Sequence, residues 1–254
     1  MKDKRKIDLN ADVGEVEGPL AVANDAKIMR AVTTVNIACG LHAGDASTMR
    51  RAVEAAMEYG VSIGAHVSLD DREGFGRREM DVTRLQVYGL VIDQIARLDA
   101  IVDAAGGVMT HVKPHGALYH MAARTPAIAD AIADAVFDTD MLLSLIGPPG
   151  SEILRAGDDY ALDIVAEVFA DRRYATDGSL MPRTDPNAMI ASADHAAKRV
   201  ITMIDGMLPE DEAPGIAVVA ETVCLHSDSP GAAAFAVALR MLLEDAGVIV
   251  RSRV

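Results

Sequence analysis

Seven apolar runs recur along the chain, and each breaks off at a cluster of ionisable or amide side chains. They are IDLNAD (7–12), TVNIACGLHAGD (34–45), VSIGAH (61–66), VMTHVKPH (108–115), MLLSLIGPPGS (141–151), DIVAEVFAD (163–171) and IAVVAETVCLHSD (216–228). Near-continuous Val/Ile/Ala/Leu runs are the pattern of parallel strands, whose two faces are both covered. Between them lie segments with apolar residues at helical spacing. Residues 46–59 are opened by Asp45 as an N-cap and stopped by Gly60, and residues 81–104 are opened by Asp81 and closed by Gly106 and Gly107. Residues 126–137, 186–206 (from Pro186) and 230–246 (from Pro230, ending at Gly247) each begin at a proline, a residue favoured at the first helical position. A last short run, VIVRSRV, predicts a closing strand.

Strand and helix in regular alternation imply βαβ units and a parallel sheet. Seven or so units in 254 residues predict a closed or distorted (β/α) barrel, with a doubly wound open sheet as the alternative. No Ser/Gly-rich linker, charge block or repeat interrupts the rhythm, so residues 1–254 are expected to form a single barrel domain. In a barrel the C-terminal strand ends converge on one rim, where such enzymes hold their chemistry.

Alternate residues of a strand share a face. Asp8, Asn10 and Asp12 therefore fall on one side, as do His111, Lys113 and His115, and Glu167, Phe169 and Asp171. Three lines of polar groups are costly in an ordinary core, because each unpartnered group costs a few kcal/mol. They are reasonable if they look into a common polar cleft. Each also has a plainer reading. Asp12 reads as a turn aspartate, Asp45 as a helix cap and His66 as a satisfied core histidine. Asp12 is preferred as a site residue because Asn10 and Glu15 flank it, and His42 because it has no capping role. Lys113 and His115 stand out most, a lysine inside an apolar strand beside Pro114. His111 fits either reading, His120 and His195 read as surface residues, and His226 and Asp228 end the last long run.

Composition narrows the partners. The net charge of −14 argues against nucleic acid and anionic membrane surfaces, which need a basic face. No run is long enough to span a bilayer, and the absence of Trp works against a stacking surface. Cys39 and Cys224 lie in apolar runs, and MKDKRKIDLN lacks the apolar stretch of a secretion signal, so a reducing cytoplasm is expected. Two Arg-rich loops, 68–80 and 170–184, carry Arg72, Arg77, Arg78, Arg172, Arg173 and Arg183, side chains able to grip a carboxylate or phosphate.

No P-loop and no Gly-rich dinucleotide fingerprint occurs; GPPGS (147–151) is the one turn where backbone N–H groups could meet an anion. Nucleophile candidates are thin, with no G-x-S-x-G elbow. Asp12, His42 and His66, from three successive strands, form a candidate divalent-metal set and serve equally as proton-transfer groups.

The stretches DLNADVGE, NIACGLHAGD, IGAH…DREGFGRREM, HVKPHGALY, GPPGSE, EVFADRRY…DGSLMPR and CLHSDSPGA resemble the LamB/YcsF family, in order from Ile7 to the C-terminus. The resemblance implies a distorted (β/α) TIM-like barrel of the glycoside hydrolase/deacetylase type. It also implies ATP-dependent opening of 5-oxo-L-proline to L-glutamate, with partner subunits B and C. ATP would be the co-substrate, bound here or on a partner. On that reading Asp12 or Glu167 is the base or a metal ligand, Lys113 neutralises developing charge, and His66 or His115 transfers protons. Asn10, Asn36, His42, Arg78, Asp171, Arg172 and His226 would bind substrate or phosphate. Three departures fall near the rim: Val67 in place of Pro after GAH, CLHSD (Leu225, Ser227) in place of CVHGD, and GEVEG (Glu17) in place of GEGFG. They raise the alternative of a paralogue acting on a related lactam or amide. Two rival readings are a metal-dependent amide or polysaccharide deacetylase on the same barrel, and a non-catalytic lactam-binding subunit.

Overall fold

The computed structural model describes residues 5–16, 18–227 and 231–254, so Asp228 and Glu17 lie outside the described residues. Among the described residues, seven parallel strands close on themselves: β1 (Lys6–Val13), β2 (Thr34–Ala38), β3 (Ser62–Val67), β4 (Met109–Pro114), β5 (Ser144–Gly147), β6 (Ile164–Phe169) and β7 (Thr222–Leu225). The pairing of β1 with both β7 and β2 shuts the barrel and rules out the open sheet. A two-residue strand, β8 (Ile249–Val250), extends the wall beside the start of β1. Beyond it Ser252 hydrogen-bonds Ser62 and Arg253 pairs with Asp163 and Glu221, so the C-terminal residues tie together the N-terminal ends of the strands.

Helices surround the wall, eight of them among the described residues: α1 (Pro19–Met29), α2 (Ala46–Tyr59), α3 (Arg84–Ala104), α4 (Gly116–Arg124), α5 (Pro126–Thr139), α6 (Glu152–Asp159), α7 (Ala193–Ile204) and α8 (Ala232–Asp245). The main core lies between helices and wall, where Leu9, Ala11 and Val13 on the outer face of β1 are fully buried with Ile37, Ile95, Leu98 and Ile132. The other β1 face carries Asp8, Asn10 and Asp12 inward, all buried. This barrel is therefore polar along its axis, unlike the branched apolar filling usual for the fold.

Local signals account for most boundaries. Asp45 caps α2 by accepting from the Thr48 N–H, and Gly60 ends it in the left-handed conformation; capping is thus the role of Asp45. Helix α3 starts at Arg84 rather than near Asp81, because Thr83 and Gln86 form a reciprocal capping box. Helix α7 starts at Ala193, capped by Ser192, and not at Pro186, whose surroundings form a loop that bridges back to Arg172. Two helices were not legible: α1, and α4, whose first residue is a glycine separated from the end of β4 by one residue and so reads as a break. Only Thr222–Leu225 of the last apolar run enters the barrel, while Ala217 bridges to Met207. GPPGS forms the β5–α6 turn, closed by the Ser151 hydroxyl donating to the Pro148 carbonyl.

Candidate functional site

The inward side chains stack in three tiers. At the base, Asp8 accepts from the hydroxyls of Thr33 (2.5 Å), Thr34 (2.7 Å) and Thr222. Burial raises its carboxyl above the usual range, and these three hydroxyls oppose the shift. Asp8 is a satisfied structural group.

The middle tier is a charge cluster. Lys113 Nζ stands 2.8 Å from Glu167 Oε1, 3.0 Å from Asp12 Oδ1, 3.3 Å from Asn10 Oδ1 and 3.2 Å from Cys224 Sγ. Asn10 donates to Glu167 (3.0 Å) and Thr222 (2.8 Å), and Asn36 donates to Asn10 and Asp12, both at 2.8 Å. Asn36 Oδ1 in turn accepts from His111 Nε2 at 2.8 Å. His111 is a buried strut that positions Asn36. Gly64 on the neighbouring strand makes room for it, since a Cβ there would sit 2.1 Å from His111 Nε2. Burial would lower the Lys113 ammonium, but Asp12, Cys224 and Glu167 outweigh it and hold it well above the ordinary lysine value. Burial likewise opposes ionisation of Asp12, and His66 and Lys113 outweigh it, so its carboxyl lies well below the usual range. Glu167 Oε2 and the Tyr119 hydroxyl are buried without a hydrogen-bond partner among the described residues. Burial, and after it the charge on Glu167, raises the Tyr119 phenol.

The upper tier gathers three imidazoles around a carboxylate. His66 Nδ1 donates to the Lys113 carbonyl (3.0 Å), and His115 Nε2 donates to the Phe75 carbonyl (2.8 Å). Their other nitrogens, His66 Nε2 and His115 Nδ1, face each other at 3.0 Å. Glu15 Oε1 lies 3.2 Å from His42 Nε2, 3.3 Å from His115 Nδ1 and 3.7 Å from His66 Nε2. Asp12 Oδ2 is 3.3 Å from His66 Nε2. Burial first, then His66, pushes His42 and His115 down to about 3, so both rings are neutral. His42 and His115 stack with centroids 3.9 Å apart. Gly76, at φ +65°, allows this approach of the 68–80 loop; a Cβ there would meet His115 at 2.8 Å and His42 at 2.9 Å.

A separate pair stands beside the cluster. His226 donates to Asp171 through its backbone N–H (3.0 Å) and Nδ1 (2.9 Å), while its ring stacks on Phe169. Burial opposes the Asp171 charge, but His226 outweighs it and lowers the carboxyl. Above these groups opens a cavity of about 640 Å³ lined by Asp12, Lys113, Tyr119, Arg172, Arg183 and His226 among others.

Most of the expected residues meet here: Asn10, Asp12, Asn36, His42, His66, Lys113, His115, Glu167, Asp171, Arg172 and His226 occupy the tiers or the cavity wall. Arg78 does not. It pairs with Asp71 outside the cavity, and its neighbour Arg77, packed over Phe75, lines the wall instead. The metal set read from the sequence also changes. Glu15 joins His42 and His66, with His115 as a further donor, while Asp12 Oδ1 is committed to Lys113 and Asn36. His120 is exposed at the cavity rim. Cys39 is buried and pushed up to about 12, and burial raises Cys224 well above its ordinary value, so neither is a thiolate.

Three residues escaped the sequence. Glu15 appeared only as a flank of Asp12, and Tyr119 lies in a helix that was not predicted. Arg199 of α7 grips Glu212 (2.7 and 2.8 Å) and the carbonyls of Phe169, Ala170 and Arg172, pinning the chain after β6. A charged residue on the apolar stripe of α7, beside Ala196 and Val200, was the available signal for Arg199.

The model of the LamB/YcsF family matches residues 7–253. The A subunit of 5-oxoprolinase from Geobacillus kaustophilus is 50% identical over 249 residues, covering 98% of this chain and 97% of that one. The crystal structure of a lactam utilization protein from Thermus thermophilus superposes with a TM-score of 0.89 at 41% identity, over 97% of this chain and 99% of the other. The catalytic domain of a peptidoglycan N-acetylglucosamine deacetylase from Eubacterium rectale shares the fold, with a TM-score of 0.52 at 10% identity, covering 100% and 91%.

Proposed function

Because the chain belongs to the LamB/YcsF family, we propose that it is the A subunit of an ATP-dependent 5-oxoprolinase, a hydrolase that opens a cyclic amide. The observation that carries this reading is the Lys113 ammonium, held between Asp12 and Glu167 at the base of a cavity edged by Arg172, Arg183 and His226. One barrel domain, residues 1–254, would work with subunits B and C in the cytoplasm. ATP is assigned to the assembly rather than to a P-loop of this chain. Buried free cysteines and an ATP co-substrate both suit a reducing compartment.

The chemistry explains the residue set. A five-membered lactam is a stable amide. Phosphorylation of its carbonyl oxygen makes that carbon electrophilic, and water adds to it. The C–N bond then breaks as the ring nitrogen takes a proton, and a second water releases phosphate from the resulting acyl phosphate, leaving glutamate. Lys113 lies where it would neutralise charge on the carbonyl and phosphoryl oxygens. Arg172, buried with an Nε unpartnered among the described residues, and Arg183 would grip the substrate carboxylate or the phosphate. His226, its Nδ1–H anchored by Asp171, is oriented to take a proton from water and return it to nitrogen through Nε2. Asn10, Asn36 and Glu167 keep Asp12 and Lys113 in register. Asp12, His66 and His115 line the polar side of the cavity, with His42 stacked behind His115.

The test is glutamate release from 5-oxo-L-proline with and without ATP and with and without subunits B and C. Release only with all components is expected. The four-donor cluster keeps one rival in view, and ATP-independent amide or acetyl hydrolysis by the lone chain would replace this reading with it.

A further inference from the structure

We infer that Glu15, His42, His66 and His115 form a binding site for one divalent first-row transition-metal ion of the zinc class. Carbonyl oxygens only accept, so His66 carries its proton on Nδ1 toward Lys113 and His115 on Nε2 toward Phe75. With both rings neutral the opposite nitrogens are acceptors, and they point at each other across 3.0 Å. Two lone pairs at that distance repel unless a proton or a metal ion lies between them. The Glu15 carboxylate faces the same space at 3.3 and 3.7 Å, and His42 Nε2 approaches Glu15 at 3.2 Å.

Spacing supports a metal over a shared proton. Ligands about 2.0–2.1 Å from a tetrahedral ion stand about 3.4 Å from one another. Four of the six donor separations, 3.0, 3.2, 3.3 and 3.7 Å, bracket that edge. A single proton could serve only one of them. Donor chemistry selects the ion: three imidazoles with one carboxylate suit zinc and its neighbours, whereas calcium and magnesium need oxygen. Two ligands already have backbone carbonyls fixing their tautomers, the outer-shell arrangement that metal-bound histidines require. A second group, His195 with Asp211 and Glu212, lacks this support, because Glu212 is committed to Arg199. What such an ion would supply is a lowered pKa for a bound water and polarisation of an oxygen ligand. As a cofactor it rests on the lactamase reading, since it would share the same cleft.

The experiment uses the full chain stripped with EDTA, then titrated with ZnCl2 by calorimetry and with CoCl2 by visible absorption. One zinc per chain and an intense four-coordinate cobalt band are expected. Glu15→Gln and His115→Gln should each weaken zinc by at least about 10²-fold, since even outer-shell losses reach 10–100-fold. His195→Gln should bind as wild type does. Circular dichroism checks that each variant is folded. If the variants fail to fold, the wild-type cobalt spectrum decides, because cobalt left with the spectrum of its aqua ion means that these donors do not bind it. No zinc uptake by folded wild type, uptake unchanged in both variants, or loss through His195→Gln overturns the inference. All of these readouts are taken without substrate. A zinc-loaded chain inactive with B, C and ATP would refute the lactamase reading alone, and an active zinc-free chain would refute only the ion's role as its cofactor.

Discussion

Replacing Lys113 by Met removes the one ammonium shared by two buried carboxylates. At roughly 3 Å and an effective dielectric of about 20, each contact is worth about 5 kcal/mol of Coulomb energy. Dehydrating the three ions costs several kcal/mol each, so the intact cluster is close to break-even for stability. The variant is not close to break-even. Asp12 and Glu167 remain buried, held by Asn36 and Asn10 but without their cation. A broken buried pair costs about 3–5 kcal/mol. For a chain of this size that lowers Tm by roughly 6–20 °C, at about 2–4 °C per kcal/mol. Turnover should fall by at least about 10²–10³-fold through lost electrostatic stabilisation. Adding Glu167→Gln neutralises one stranded carboxylate while keeping an amide oxygen for Asn10. The double variant should regain part of the Tm and none of the activity. Thermal unfolding and ATP-dependent glutamate formation with B and C read the two effects separately. A Lys113→Met protein with wild-type Tm and rate refutes the reasoning, as does activity restored by the second substitution.

Arg199→Met should destabilise by about 3–5 kcal/mol, because buried Glu212 loses its two-pronged partner, keeping only Arg173 (3.2 Å) and the Tyr174 N–H (3.0 Å), and three carbonyls lose a donor; a chemical-denaturation midpoint equal to wild type would contradict this. Asp171→Asn keeps the size of the side chain but removes the charge that orients His226, so kcat should drop on the order of 10²-fold with KM nearly constant; steady-state kinetics would show instead a KM effect if the pair only binds substrate. Asp25, which accepts from the Gly14 N–H, is raised to about 6 mainly by burial, against that bond. A raised carboxyl contributes most below its unfolded pKa of about 4 and loses that contribution as pH climbs through 6, a change of up to about 3 kcal/mol. Asp25→Asn should therefore match wild type near pH 4 and exceed it above pH 6.5. An unchanged gap across that pH range, measured by urea unfolding, would remove Asp25 as the cause.

The strand runs, their alternation with helices and the period-two lines of polar residues are properties of consecutive positions, and local chemistry writes them directly into the chain. Asp8, Asn10 and Asp12 share a face in any extended conformation, and Asp45 caps α2 wherever that helix packs. The barrel, its polar end and most cleft residues were legible for that reason. What pairs with what was not. Arg78 and Arg77 are adjacent and chemically identical, and only the position of Asp71 decides which one leaves the cavity. Glu15 and His115 are a hundred residues apart, and their approach depends on barrel closure, on the glycine turn at Gly76 and on the carbonyls that set each imidazole's proton. The sequence by itself determined the kinds of groups and the end of the barrel they occupy. Their partners, protonation and shared centre were decided only by tertiary structure, because those depend on distances between side chains that no local rule constrains.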